Sequence, residues 1–232
     1  MRSSRFAKSG LGIPYALFLL LFVVAPLFVL LYYAFTNGQG QFTVQNLAAF
    51  FTSPNTIGTL AYSFALAVVT TCVCVLLAYP IAYILARSNM RHKSVILVAF
   101  VMPMWINFTL RITALKEILT VLEGNLALHP FLNSVIGMTY DFLPFMILPL
   151  SVPGIISGIT MVFLPSMTNY VVLDMLYNST YIMGSLIGSY FASYDWHNGS
   201  MIALILLLII LIFTLFTNKY SDEDEGRGGA LI

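Results

Sequence analysis

Long apolar runs separated by short polar links make up most of this chain. Four runs are each long enough to cross a bilayer, whose hydrocarbon core requires about 20 mostly apolar residues in a helix. They are 13–35, 59–86, 94–112 and 199–217. The tract from Val135 to Val172 is too long for one span and just long enough for two, at about 135–150 and 155–175. Because the runs do not alternate as barrel strands would, the pattern predicts an all-α, polytopic membrane protein with six transmembrane helices.

The composition supports a membrane protein. Of the 232 residues, 59% are hydrophobic and 8% are charged, and the mean hydropathy is +0.92. A soluble globular domain has about 25% charged residues. The first apolar run is longer than the roughly 7–15 residues of a signal-peptide core, so we expect a retained anchor. Cys72 and Cys74 lie within an apolar run and form no disulfide framework.

The positions of the basic residues predict the orientation of the helices. Cytoplasmic links carry an excess of Lys and Arg. Basic residues precede the first helix and fill the link after the second, whereas the link between these two helices has none; they are Arg2, Arg5, Lys8, Arg87, Arg91 and Lys93. We therefore expect the N-terminal segment 1–12 and the tail 218–232 to be cytoplasmic. Arg111 and Lys116 depart mildly from this rule.

Ionisable groups at membrane depth are costly to bury and are candidates for function. Asp141 falls within or at the edge of the fourth predicted helix, and Asp174 lies near the outer end of the fifth. Tyr170 precedes Asp174 by four residues, so the two share a helix face on which a phenol and a carboxylate can meet a cation. Trp105 lies within the third predicted helix. A solvated Asp174 and a Trp105 that only packs remain alternatives.

Catalytic constellations are poor. The three histidines, His92, His129 and His197, fall in links and have no partner at metal-ligand spacing. No G-x-x-x-x-G-K-[ST] loop is present to bind nucleotide phosphates. Ser157 has no histidine at membrane depth to act as its base. We therefore expect no catalytic residue, no metal, no cofactor and no nucleic-acid partner.

Five segments together resemble one family. They are LLAYPIAYILAR (76–87), VMPMWINFTLRITALKEIL (101–119), MTYDFLPFMILP (138–149), PLSVPGIISGITMVFLPSM (149–167) and WHNGSMIALILLL (196–208). In this order they resemble the permease subunits of spermidine/putrescine-type ABC importers, and most closely the first of the two permeases of such a system. The resemblance covers most of residues 60–210.

The resemblance implies a six-helix type I importer permease in a bacterial plasma membrane. Such a permease pairs with a second permease, two ATP-binding subunits that hydrolyse the ATP, and an extracytoplasmic substrate-binding protein. A polyamine is a polycation, so its path needs carboxylates and aromatic faces, and we expect Trp105, Asp141, Tyr170 and Asp174 to line it. An importer for a thiamine-like compound, ferric iron or an anion is the alternative, followed by a non-transporting scaffold or an enzyme.

One family feature is absent. Members carry a Glu-Ala-Ala...Gly motif, which couples them to the ATPase, in a cytoplasmic loop between the fourth and fifth helices. We expect that loop between Leu148 and Pro153, where the flanking segments are instead joined at Pro149 and the motif is missing. Two spans use all 38 residues of 135–172 and leave none for a link. We expect a few dozen residues to be missing from the sequence as printed; a true deletion, closed by a tight turn at 151–154, is the alternative.

Overall fold

The structure is a computed structural model that describes residues 13–89, 91, 93–147, 152–176 and 182–228. Ten α-helices form in this part of the chain, together with one isolated β-bridge between Thr36 and Phe42 and no β-strand. The helices are α1 (Ile13–Ala34, with a π-helical stretch at Leu20–Val24), α2 (Gln45–Thr52), α3 (Pro54–Arg87), α4 (Lys93–Val101), α5 (Phe108–Glu123), α6 (Pro130–Ile147), α7 (Val152–Thr168), α8 (Tyr170–Leu176), α9 (Met183–Ala192) and α10 (Trp196–Gly228).

Three helices are long and apolar enough to cross a membrane unbroken. They are α1, α3 and the Trp196–Thr217 part of α10. Two bent pairs of helices are long and apolar enough only when each pair is taken as one span. The first pair joins Val98–Trp105 to Phe108–Glu123, and the second joins Gly158–Thr168 to Tyr170–Leu176. The prediction of an all-α, multi-pass membrane protein is confirmed. The described residues contain three to five candidate spans, so the predicted count of six is not confirmed.

The third predicted helix, 94–112, is interrupted in the structure. After α4 the chain makes a 3₁₀ turn at Met102–Trp105, and α5 then leaves at an angle of 100°. Pro103 lies in this turn and has no N–H to donate. Asn107 is the N-cap of α5, and its side-chain oxygen accepts a hydrogen bond from the Thr109 backbone N–H at 2.9 Å. The residues remain apolar across the break, so hydropathy alone merges two helices into one.

The fifth predicted helix, 155–175, is also divided. Asn169 separates α7 from α8, and the two axes differ by 57°. Pro165 lies inside α7 one turn before the break, where its ring disfavours a straight helix. The other bounds shift by a few residues, except that α10 continues beyond the predicted end at 217 to Gly228.

The described residues divide into two compact units. Unit 1 contains 13–54 and 187–207. In it, the Asn46 side chain donates to the carbonyl oxygens of Ala34 at 2.9 Å and Thr36 at 3.0 Å, which fixes α2 against the end of α1. The His197 ring nitrogen Nδ1 lies 3.1 Å from the Tyr33 carbonyl oxygen, so α10 is joined to the same end of α1.

Unit 2 contains 55–186 and 208–228, and its core forms around α6. Eleven of the eighteen residues of α6 are buried. Gly137 of α6 faces Val172 and Leu176 of α8, where a larger side chain would displace both. Gly184 of α9 lies directly against the Thr168 carbonyl at the end of α7. Unit 2 therefore contains two close approaches that depend on glycine, one to side chains of α8 and one to the backbone at the end of α7.

Candidate functional site

All four candidate residues lie in unit 2, in different surroundings. Trp105 ends the 3₁₀ turn and is 75% exposed. Tyr170 is 42% exposed and Asp174 is also exposed. Asp141 is buried within α6. Three of the four therefore present their side chains on the surface of this single chain, and one does not.

Tyr170 and Asp174 belong to α8, the short helix after the bend at Asn169. Both are exposed, whereas Val172, Leu173 and Leu176 of the same helix are buried. This division follows from helical geometry, since residues four apart share a face. A phenol and a carboxylate thus stand on the exposed side of α8, and both groups can attract a cation.

Asp141 forms an ion pair with Arg111. Nη2 of Arg111 in α5 donates to Oδ1 of Asp141 in α6, and both side chains are less than one-tenth exposed. The guanidinium carbon also lies 5.6 Å from the Tyr140 ring centre and 6.0 Å from that of Phe108. Nε and Nη1 of Arg111 are buried and have no hydrogen-bond partner among the described residues. Arg111 is therefore almost completely buried and uses only part of its donor capacity within the described part of the chain.

The ion pair changes the expected role of Asp141. A carboxylate next to a guanidinium is already neutralised and offers little attraction to another cation. It also accounts for Arg111 as an exception to the charge rule, because a paired, buried arginine does not act as a free charge in a link. The sequence analysis missed this pair, although Arg111 and Asp141 stand in otherwise apolar stretches, where charges usually pair with one another.

A second polar contact joins the same two helices. The Asn133 side-chain nitrogen of α6 donates to Glu123 Oε2 of α5 at 2.8 Å and to the Leu126 carbonyl at 3.1 Å. Because Glu123 is the last residue of α5 and Arg111 lies in its first turn, α5 is attached to α6 near both ends.

Unit 1 contains an apolar groove of about 560 Å³. Side chains of α1, α9 and α10 line it, among them Pro26, Tyr33, Phe191 and Trp196, and no charged residue takes part. A polycation would lose its hydration there without compensation, so this groove does not fit a polyamine. No three His, Cys, Asp or Glu side chains gather as metal ligands anywhere in the described ranges.

The expected coupling segment, Leu148 to Pro153, falls mostly outside the described residues. The structure describes α6 up to Ile147 and α7 from Val152, and residues 148–151 between them are not described. The prediction for this segment therefore stays a prediction.

Comparisons with known proteins bear on the resemblance. The chain is 26% identical to the spermidine/putrescine transport system permease protein PotB of Haemophilus influenzae, over 92% of this chain and 94% of the relative. The chain is similar to spermidine/putrescine permeases of the PotB type. PotB of Salmonella typhimurium is also 26% identical, over 78% of this chain and 83% of the relative, and PotB of Escherichia coli is 26% identical over 63% and 71%. No family model matches the chain.

The resemblance to polyamine permeases is thus confirmed. The names of these PotB relatives describe a transport permease and not an enzyme, in agreement with the sequence analysis. The alignment with the Haemophilus influenzae PotB is 271 positions long and includes 92% of the 232 residues of this chain, about 213, so about 58 aligned positions are empty in this chain. That is the order of size, a few dozen residues, that the sequence analysis expects to be missing.

Proposed function

We propose that this chain is the permease subunit of an ATP-driven importer for polyamines such as spermidine and putrescine. The observation that supports the proposal most directly is the similarity to PotB, which extends over nearly the full length of both chains. The apolar helices α1, α3 and α10 support a membrane location, and the PotB relatives support the bacterial plasma membrane. None of the three relatives named above is described as a transporter of thiamine-like compounds, ferric iron or anions.

In this proposal the chain supplies half of the translocation path and a second permease supplies the other half. Two ATP-binding subunits act from the cytoplasm, and a substrate-binding protein delivers the polyamine on the other side. Six spans, with both termini cytoplasmic, require α6 to cross the membrane together with α1, α3, α10 and the two bent pairs. Alternating access then moves packed helix groups about a shared central site.

The path must replace the water around a flexible polycation. Asp174 supplies a full negative charge, and Tyr170 and Trp105 supply ring faces that attract ammonium groups. All three are exposed in the isolated chain, as residues lining a path between two permeases have to be. Asp141, whose charge is taken by Arg111, belongs to the wall behind the path in this proposal.

Uptake of radiolabelled spermidine tests the proposal directly. The chain is expressed with its partner subunits in cells that lack other polyamine importers, and uptake is measured with and without excess putrescine. We expect ATP-dependent uptake that putrescine inhibits. A fully assembled system that accumulates neither polyamine would overturn the proposal.

Replacing Asp174 with asparagine is expected to raise the KM for spermidine and leave the maximal rate nearly unchanged. An exposed charge pair contributes up to about 1 kcal/mol, which corresponds to roughly a fivefold change in affinity. Initial uptake rates over a range of spermidine concentrations measure the effect. Glu117→Gln is the matched control, because Glu117 is an exposed carboxylate on α5 outside the proposed path. Equal KM values for the two variants would remove Asp174 from the path.

A further inference from the structure

The Trp105 side chain makes few contacts with the part of the chain that the structure describes. Its ring is 75% exposed and makes no hydrogen bond or ring contact with any residue that the structure describes. Its orientation therefore depends on the backbone around the break at 106–107, and so on where α5 begins. If Trp105 meets the substrate, another part of the chain must fix the start of α5.

Arg111 and Asp141 are placed to fix it. Arg111 lies one turn after Phe108, the first residue of α5, and its partner Asp141 is in α6, eleven of whose eighteen residues are buried. The Glu123–Asn133 contact holds only the far end of α5, three turns away. Among the described residues, the ion pair is thus the polar side-chain contact nearest to the break that joins α5 to the core of unit 2.

Stability alone does not account for a buried ion pair in this position. Well-packed apolar side chains of similar volume are commonly as stable as a buried ion pair, or more stable. Here the guanidinium also leaves Nε and Nη1 buried without partners among the residues that the structure describes, which adds to the cost of burial. A guanidinium differs from an apolar side chain in that its planar donors bind a carboxylate in a defined direction. The start of α5 is preceded by an exposed side chain and by a break, so a contact of defined direction can fix its orientation.

We propose that Arg111 and Asp141 are positioning residues that hold the start of α5, and with it Trp105, in the orientation in which the Trp105 ring meets the polyamine. The role in transport rests on the proposed function, whereas the effect on Trp105 does not. Neither positioning residue contacts the substrate.

Fluorescence of Trp105 tests the positioning itself. The chain has two tryptophans, so Trp196→Phe leaves Trp105 as the single reporter. In this background the anisotropy of the full chain in lipid vesicles free of other protein is measured for Asp141→Asn, for the apolar double variant Arg111→Met with Asp141→Leu, and for Glu123→Ala as the control. Thermal unfolding of each sample identifies the folded variants.

We expect a loss of Trp105 anisotropy in Asp141→Asn and in the apolar double variant, including when the latter is as stable as the parent. Glu123→Ala should retain the parent value, because it disturbs only the far end of α5. If neither variant that lacks the pair folds, Arg111→Lys decides, since an ammonium keeps the charge but not the planar donors. Unchanged anisotropy in a folded variant that lacks the ion pair overturns the proposal. If no such variant folds, unchanged anisotropy in Arg111→Lys overturns it.

Uptake kinetics then connect the positioning to transport. We expect the folded apolar double variant to raise the KM for spermidine roughly tenfold, as Trp105→Ala should, because both lose the cation–π contact. Combined with Trp105→Ala, the double variant should add no further increase, since residues that act through one another are not additive. Fully additive effects would contradict the proposal. Absence of spermidine uptake in the parent chain would refute the proposed function, and the anisotropy result would still decide the positioning.

Discussion

Replacing Asp141 with asparagine is expected to destabilise the chain by about 3–5 kcal/mol, the usual cost of removing one partner from a buried ion pair. The substitution leaves the Arg111 guanidinium charged, enclosed and without a carboxylate, and its Nε and Nη1 already lack partners among the described residues. Denaturation of the purified chain in detergent, followed by circular dichroism, measures the loss.

Two variants make this result specific. Glu117→Gln removes an exposed carboxylate from α5 and should change stability by less than about 0.5 kcal/mol. Arg111→Met combined with Asp141→Leu removes both charges and should recover most of the stability, because no uncompensated charge is left. An Asp141→Asn variant as stable as Glu117→Gln would show that the two side chains are not paired inside the protein.

Gly184→Ala is expected to cause the second large loss. A Cβ at position 184 would overlap the Thr168 carbonyl oxygen, which is a backbone atom and cannot rotate away as a side chain would. The ends of α7 and α9 would have to separate, and overpacking of this kind costs about 1–3 kcal/mol or more. Thr168 lies two residues before Tyr170, so we also expect spermidine uptake to fall. Thermal unfolding and uptake are measured on the same variant.

The same helix offers a matched control. Gly188 is one turn further along α9, and a Cβ there would meet no atom within 4 Å. Gly188→Ala should leave uptake intact and stabilise the chain slightly, by up to about 1 kcal/mol, because alanine favours a helix more than glycine does. Equal unfolding temperatures for the two alanine variants would contradict the close approach of Gly184 to Thr168.

The sequence predicts those helices that can be recognised by the length of their apolar runs. Helices α1, α3 and α10 are long, apolar and separated by polar links, and hydropathy located all three. It missed the break between Trp105 and Phe108, because the residues there are apolar on both sides. Local signals were present, since Pro103 cannot continue a hydrogen-bonded turn and Asn107 is a good helix N-cap. A window long enough to detect a span averages such signals away.

The candidate site was predictable in part. The four-residue spacing of Tyr170 and Asp174 was enough to place them on one face of a helix. The environment of Asp141 was not, because its partner Arg111 is thirty residues earlier and on another helix. One sequence shows that two charges lie in apolar segments, but their pairing depends on how α5 packs against α6. Burial separates Asp141 from the exposed candidates, and burial is a property of the folded chain.

Helix α3 has 34 residues and is about 51 Å long at a rise of 1.5 Å per residue. The hydrocarbon layer is about 30 Å thick, and even at a tilt of 40° the helix covers about 39 Å along the membrane normal. It cannot be contained in the hydrocarbon layer, so at least one end extends into the headgroup region or beyond it. The height of that projection varies with bilayer thickness, and a spin label at Pro54 or Arg87 would report it.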